Sequence, residues 1–312
     1  MRLLEFTRKY GDEASCKALF KEYRERQGLT CRKCGGNDHS WLPTVDRWQC
    51  RQCQSQIGLR SGTLLEASKL PYHYWIYAIY LMTSTKKGIS ALEMQRQLGH
   101  KRYEPIWAMM HKIRAAMGKR DSRYQMEGLV ELDDGFVKSN RDMPSDHEQG
   151  NKQGRGTQDR TPILMMAKAA PGKEKGKKPT AFRYIRMAVM ADQKGKTVQE
   201  EAGKVLTDQA TVISDNFRSF SRLKDIVKEH APMNVPAKEA SMILPWVHTM
   251  ISNLKRNLLS INHSVKEGYL QNYLNEFCYK TNRRYFGAKL FDRLMIASVE
   301  DTWYPKPAYA SG

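Results

Sequence analysis

A chain of 312 residues with 52 Lys and Arg against 33 Asp and Glu has a formal charge of +19, too lopsided for a protein that avoids polyanions. That length accommodates two or three domains around a substantial core, and the charge favours nucleic acid or an anionic membrane surface as partner, of which the membrane is the weaker reading. The longest apolar run, Tyr74–Met82, is too short to span a bilayer and carries several tyrosines, and MRLLEFTRKYGDEASC at the N-terminus lacks the apolar core of a signal peptide. The expectation is a cytoplasmic protein whose six cysteines stay reduced, with no membrane partner.

Residues 1–68 read as an N-terminal helix and a zinc ribbon. Cys31, Cys34, Cys50 and Cys53 are spaced C-x2-C-x15-C-x2-C, two tight turns that each point a pair of thiolates inward. Gly35 and Gly36 follow the first pair as such a turn requires, and Trp41 and Trp48 flank the intervening hairpin. Two pairs at this spacing, without a surrounding βαβ pattern, argue against a redox dithiol. Four thiolates leave no open position on Zn2+, so the ion should fold the module and take no part in catalysis. Cys16 and Cys278 fall on helix-like segments and read as core residues.

Residues 69–121 read as a helical block. Pro71 opens PYHYWIYAIYLMTS, apolar on most faces; Ser90 and Gly99 punctuate a short helix; Pro105 lies at the start of PIWAMMHKIRAAMGKR. Two helices joined by a short turn, the second with Lys112, Arg114, Lys119 and Arg120, resemble a helix-turn-helix that contacts DNA. The plainer alternative is a three-helix linker with a solvated basic face.

From Gly128 the pattern changes to strands. GLVELDDGFVK alternates so that Glu131 and Asp133 share one face and Leu132 and Asp134 the other. Further strands are expected at Ile163–Lys168 and Phe182–Met190, separated by Gly/Lys-rich tracts that read as hairpin loops. A polar helix over Val198–Leu206 precedes TVISD, a strand that delivers Asp215 at its C-terminal edge; a helix over Phe217–Val227 and an extended run around Val235–Leu244 follow. This element order, which other α/β folds share, fits an α/β domain of the ribonuclease-H-like kind, a mixed sheet flanked by helices, over residues 128–298, with a tail over 299–312.

The C-terminal part is cationic. Between Val247 and Arg293 there are eight Lys and Arg against three Asp and Glu, with apolar residues at helical intervals. Tyr269, Tyr273 and Phe277 form an aromatic seam assigned to the core, while Arg256, Arg283 and Arg284 are the expected phosphate contacts.

The segments VELDDGF, VISDNFRSF, WVHTMISNLKRNL and YLNEFCYKTNRR together resemble the transposases of bacterial insertion sequences, in the group of the DDE superfamily with an N-terminal zinc ribbon and an Asp-Asp-x-Lys catalytic set. The resemblance implies that Asp133, Asp215 and Lys255 are catalytic. The third position, usually Glu or Asn, falls seven residues before the lysine, on His248. Seven residues make nearly two helical turns, so His248 and Lys255 share a face; Asn253, two residues from the lysine, is the alternative third ligand.

The implied activity is metal-dependent DNA cleavage and strand transfer at terminal inverted repeats, with Mg2+ or Mn2+ held by Asp133, Asp215 and His248 beside the structural Zn2+. Glu131 is a supporting candidate. Double-stranded DNA, both element ends and target, is the expected partner, with a homo-oligomer forming on it and the protein nucleoid-associated when bound in a bacterial cytoplasm. The alternatives are a non-catalytic zinc-ribbon DNA-binding regulator derived from a transposase, or a nuclease that cuts without joining. Taken singly, each residue also has a plain structural reading: Asp133 as a strand-edge residue, Asp215 as a cap for the next helix, His248 as a helix-start residue, Lys255 and Arg256 as a solvated face.

Overall fold

A computed structural model describes residues 2–139, 160–170, 181–234, 243–262 and 265–300, which fall into two units, one running to Arg120 and resuming at Tyr285, the other spanning Asp121–Arg284. Among the described residues no helix is long and apolar enough to cross a membrane.

The first unit begins with α1 (Leu3–Lys9) and α2 (Glu13–Gln27). Asp12 starts α2 by accepting the Ser15 N–H at 2.7 Å, and Gly28 ends it at φ 81°. Strands β1 (His39–Leu42), β2 (Arg47–Cys50) and β3 (Gln56–Gly58) form an antiparallel ribbon in which Trp41 and Trp48 pair across β1 and β2. Helices α3 (Tyr72–Ser84), α4 (Ala91–Leu98) and α5 (Tyr103–Asp121) follow. Ser90 caps α4 and Gly99 stops it in the left-handed region, the two boundaries expected from sequence. Helix α5 is largely core: Ile106, Met109, Met110, Ile113 and Met117 are all buried.

The helix Lys289–Glu300, the last among the described residues, also belongs to this unit, whereas the sequence places residues up to 298 with the strands. Phe291 meets Phe6 edge-on at 5.6 Å, and the Leu64 N–H donates to the Ser298 carbonyl at 2.9 Å. Apolar periodicity reports that a helix has a buried face; it does not say against what. The expected tail beyond residue 300 lies outside the described residues.

The second unit is built on β4 (Met126–Lys138), β5 (Arg160–Ala169), β6 (Phe182–Val189), β7 (Leu206–Asp215) and β8 (Glu229–Met233), with α6 (Gly195–Gly203) and a 3-10 helix (Arg218–Asp225) between strands, then α7 (Pro245–Asn262) and α8 (Glu267–Asn282). The sheet order is β6-β5-β4-β7-β8. Strand β4 pairs antiparallel with β5 and parallel with β7; β5–β6 is antiparallel and β7–β8 parallel. With helices on both faces, this is a ribonuclease-H-like sheet.

Alternation along the strands builds two cores. Ile163, Met165 and Ile185 pack with Val247, Leu254 and Leu274 under α7 and α8, whereas Val130, Leu132 and Leu164 pack with Val198, Phe220 and Leu223 under α6 and the 3-10 helix. Edge strand β6 is sealed by two amide side chains of α8. Asn282 bonds both the N–H and C=O of Ile185, and Gln271 bonds the Val189 N–H and the Met187 carbonyl.

Three local expectations shift. The polar helix starts at Gly195 and ends at Gly203, because Leu206 already opens β7. The helix expected over Phe217–Val227 is a 3-10 helix over Arg218–Asp225. Strand β8, EHAPM, carries no apolar alternation and was not expected; most of the extended run placed around Val235–Leu244 lies outside the described residues.

Candidate active site and metal centre

The four ribbon cysteines close into one cluster whose sulfurs all lie within 4.8 Å of one another, with Cys31–Cys53 and Cys34–Cys50 each at 3.5 Å. Four sulfurs about 2.3 Å from a tetrahedral zinc stand roughly 3.8 Å apart, so the donor set fits that ion. The two turns are built alike. Cys31 C=O accepts from the Gly35 N–H at 2.8 Å and Cys50 C=O from the Gln54 N–H at 2.9 Å, with Gly35 at φ 73° and Gln54 at φ 61°. The Cys34 and Lys33 amides hold the Cys31 thiol down at about 6, within reach of the thiolate a metal requires.

In the second unit, β4 and α7 run together. Successive inward positions of β4 each meet a different part of the helix. Glu131 Oε2 accepts the Trp246 N–H at 2.8 Å and the Val247 N–H at 3.2 Å. Asp133 Oδ2 faces His248 Nε2 at 3.6 Å. At Gly135 a Cβ would stand 3.2 Å from Ile251 Cδ1, so the bare backbone lets the helix approach.

The Asp133–His248 separation is too long for a hydrogen bond, and His248 Nε2 is buried with no hydrogen-bond partner among the described residues. Two donors placed so, with an unsatisfied imidazole nitrogen, suit a shared cation. Burial, then the charges of Asp215 and Asp134, push Asp133 up to about 7, against the Asp134 N–H that bonds its Oδ1 at 2.8 Å. Burial lowers His248, so the imidazole is held neutral, the form that ligates.

Asp215 ends β7, next to β4 in the sheet. Its Oδ1 accepts the Phe217 N–H at 3.2 Å, so it does cap the following turn. Ser214, fully buried, fixes the same corner: its hydroxyl donates to the Asp215 carbonyl at 2.7 Å and lies 2.9 Å from His230 Nε2 on β8. Among the described residues the cysteines are the one group of three or more His, Cys, Asp or Glu side chains gathered closely enough to hold a metal ion together. Asp133, Asp215 and His248 therefore do not form a single three-ligand cage. Asp133 faces His248 and feels the charge of Asp215.

Lys255 is exposed two turns along α7 from His248. Asn253 instead accepts from Arg256 at 2.6 Å. The expected DNA-contacting cations divide. Lys119, Arg256 and Arg284 are exposed, Arg284 also bonding the Thr281 carbonyl at 2.9 Å. Arg120 pairs with Glu300 at 3.0 Å, and Lys112 is half-buried, donating to the Glu66 carbonyl. Arg114 and Arg283 are corrected outright: at 1 % and 7 % exposure they lie inside their units, with Arg283 bonded to Asp121 and stacked on Tyr279. A charge count along a helix does not distinguish a solvated cation from one that snorkels or pairs.

Three supporting residues lie outside the expected set: Gly135, Ser214 and His230. A glycine inside a strand pattern is a legible sign of close backbone approach; Ser214 lies within the segment VISDNFRSF that carries the resemblance, and nothing in the local sequence marks His230.

Residues 125–282 match the family described as ISXO2-like transposase domain. A Halobacterium salinarum protein, described as an uncharacterized protein in transposable element ISH50, is 24% identical over 220 residues, covering 66% of this chain and 68% of its own. Among solved structures, a pre-cleavage Mos1 transpososome aligns at 10% identity with a TM-score of 0.28, covering 74% of this chain and 80% of that one. The Mos1 strand transfer complex aligns at the same identity and score, covering 77% and 82%. That score is too low to bear on fold or activity.

Proposed function

The chain belongs to the ISXO2-like transposase domain family, and on that premise we propose that it binds duplex DNA at the ends of a mobile element, cuts there with divalent cations and joins the freed 3′ ends to target DNA. The observation that carries the catalytic reading is the approach of His248 Nε2 to Asp133 Oδ2, on a sheet whose neighbouring strand ends in Asp215.

Asp133, Asp215 and His248 would hold the cations, with Asp133 shared. When bound, a pair of Mg2+ or Mn2+ ions supplies an activated nucleophile and charge stabilisation at the leaving oxygen. The protein's own part is positional. Asp133 must be ionised to ligate, His248 offers a neutral nitrogen that suits Mn2+, and Lys255, on the same helix face, would hold the flanking phosphate. The overall charge of +19 attracts the DNA backbone, and exposed Arg256, next to Lys255 on α7, would add a contact to it. The zinc-bound ribbon and the helical block would locate the element ends. Two ends must be processed together, so the working form is a homo-oligomer on DNA.

The test is cleavage of duplexes carrying candidate element ends, with Mg2+ or Mn2+. Wild type should nick and join, and Asp133→Ala should do neither. Binding without cutting in both would instead support the regulator reading, which the histidine at the third position favours; cutting without joined products would support a hydrolytic nuclease.

A further inference from the structure

We infer that Glu131 is a positioning residue for the proposed reaction, clamping the start of α7 so that His248 is presented to Asp133. The inference rests on the reading above and names a residue that neither ligates nor touches substrate.

Helix α7 begins at Pro245, and the side chain of Leu244 before it offers no oxygen for the N–H groups left open in a first turn. Glu131 supplies one from the strand, accepting the Trp246 and Val247 amides with a single carboxylate oxygen while itself 7 % exposed. A cap from within the helix would fix only where the helix starts. A cap from β4 fixes the helix relative to the strand that carries Asp133. Glu131 and Asp133 stand two residues apart on one face, and Trp246 and His248 stand two apart in the first turn, so the clamp lies directly beside the 3.6 Å approach. Gly135 completes the register one step along by admitting Ile251.

A cap borrowed from another element is not by itself a functional sign. Glu13 does the same for α3, accepting the Tyr72 and His73 amides at 2.8 Å each. What distinguishes Glu131 is that the turn it caps carries His248 toward Asp133.

The experiment compares Glu131→Ala with Glu131→Gln in the full chain, since the glutamine carbonyl oxygen still accepts an N–H. Glu131→Ala should lower kcat for end cleavage by about tenfold or more with KM changed less than roughly twofold, and Glu131→Gln should recover to within about threefold of wild type. A readout free of metal and substrate is the NMR shift of the His248 ring. It should respond to Asp133→Asn in wild type and in Glu131→Gln, and not in Glu131→Ala. Should the alanine variant fail to fold, Glu131→Asp, one methylene shorter, takes its place with the same expectation. A His248 response that survives in Glu131→Ala overturns the inference, as does a glutamine variant as impaired as alanine. If wild type cleaves nothing, the ring-shift comparison still decides the positioning role, and the cleavage reading alone falls.

Discussion

His248 Nε2 and Asp133 Oδ2 stand 3.6 Å apart with no hydrogen bond between them, a spacing that leaves the imidazole nitrogen unsatisfied and the carboxylate buried beside a second acid. Asp133, pushed up to about 7, binds a proton that any cation must displace. Mn2+ affinity should therefore rise about tenfold per pH unit below 7 and level off above it, and Asp133→Asn should flatten that profile. Calorimetric titration at several pH values checks this; a flat wild-type profile contradicts it.

The same group sets a stability slope of opposite sense. Its folded value lies above the unfolded one, so its contribution is fully present below about pH 4 and is lost as pH rises through about 7. The metal-free protein should lose melting temperature across that window, more steeply than Asp133→Asn does, and Mn2+ should restore it. Scanning calorimetry with and without the cation is the measurement.

In the ribbon, the sulfurs of Cys31, Cys34, Cys50 and Cys53 already lie within 4.8 Å of one another. The purified protein should carry about one zinc per chain, and Cys50→Ser or a strong chelator should remove it and unfold the ribbon. Emission from Trp41 and Trp48, paired at 4.7 Å across the hairpin, should shift to the red on removal. Zinc retained in Cys50→Ser would contradict the assignment.

Arg283 tests the correction to the basic surface. Replacing it with alanine strands the Asp121 carboxylate at 1 % exposure, which should cost about 3–5 kcal/mol in urea unfolding. DNA affinity per folded molecule should be unchanged, whereas Lys255→Ala should reduce the dependence of binding on log salt by about one phosphate contact.

Gly135 and Ile251 should be energetically coupled. A methyl at position 135 meets Ile251 Cδ1 at 3.2 Å, so Gly135→Ala should cost about 1 kcal/mol of overpacking. Ile251→Val removes that Cδ1, and the double variant should be more stable than the two separate losses predict, by roughly 0.5 kcal/mol or more. Strict additivity would mean that the contact does not limit the approach of α7.

Legibility followed the range of the signal. Ser90 and Gly99 bound α4 as read, because capping is a matter of three or four residues. Glu131 and Asp133 share a face of β4, and His248 and Lys255 share a face of α7, because pleat and helix periods are local. Strand β8 escaped notice because it is a five-residue edge containing Pro232, made a strand by its pairing with β7 and not by its own composition. Arg283 is buried for a related reason: the fold provides it an acid in Asp121 and an aromatic face in Tyr279, and a charge count along the helix reveals neither.

The sequence by itself determined what short-range covalent geometry dictates: the clustering of the four cysteines, the capped ends of α4 and the faces on which the acids and the histidine lie. Tertiary structure alone decided partnerships between distant residues. Glu131 reaches amides 115 and 116 positions away, Asp121 finds Arg283, and the last helix returns to the first unit. Such pairings depend on which surfaces pack best after the chain has collapsed, and burial is non-directional, so no local pattern encodes them.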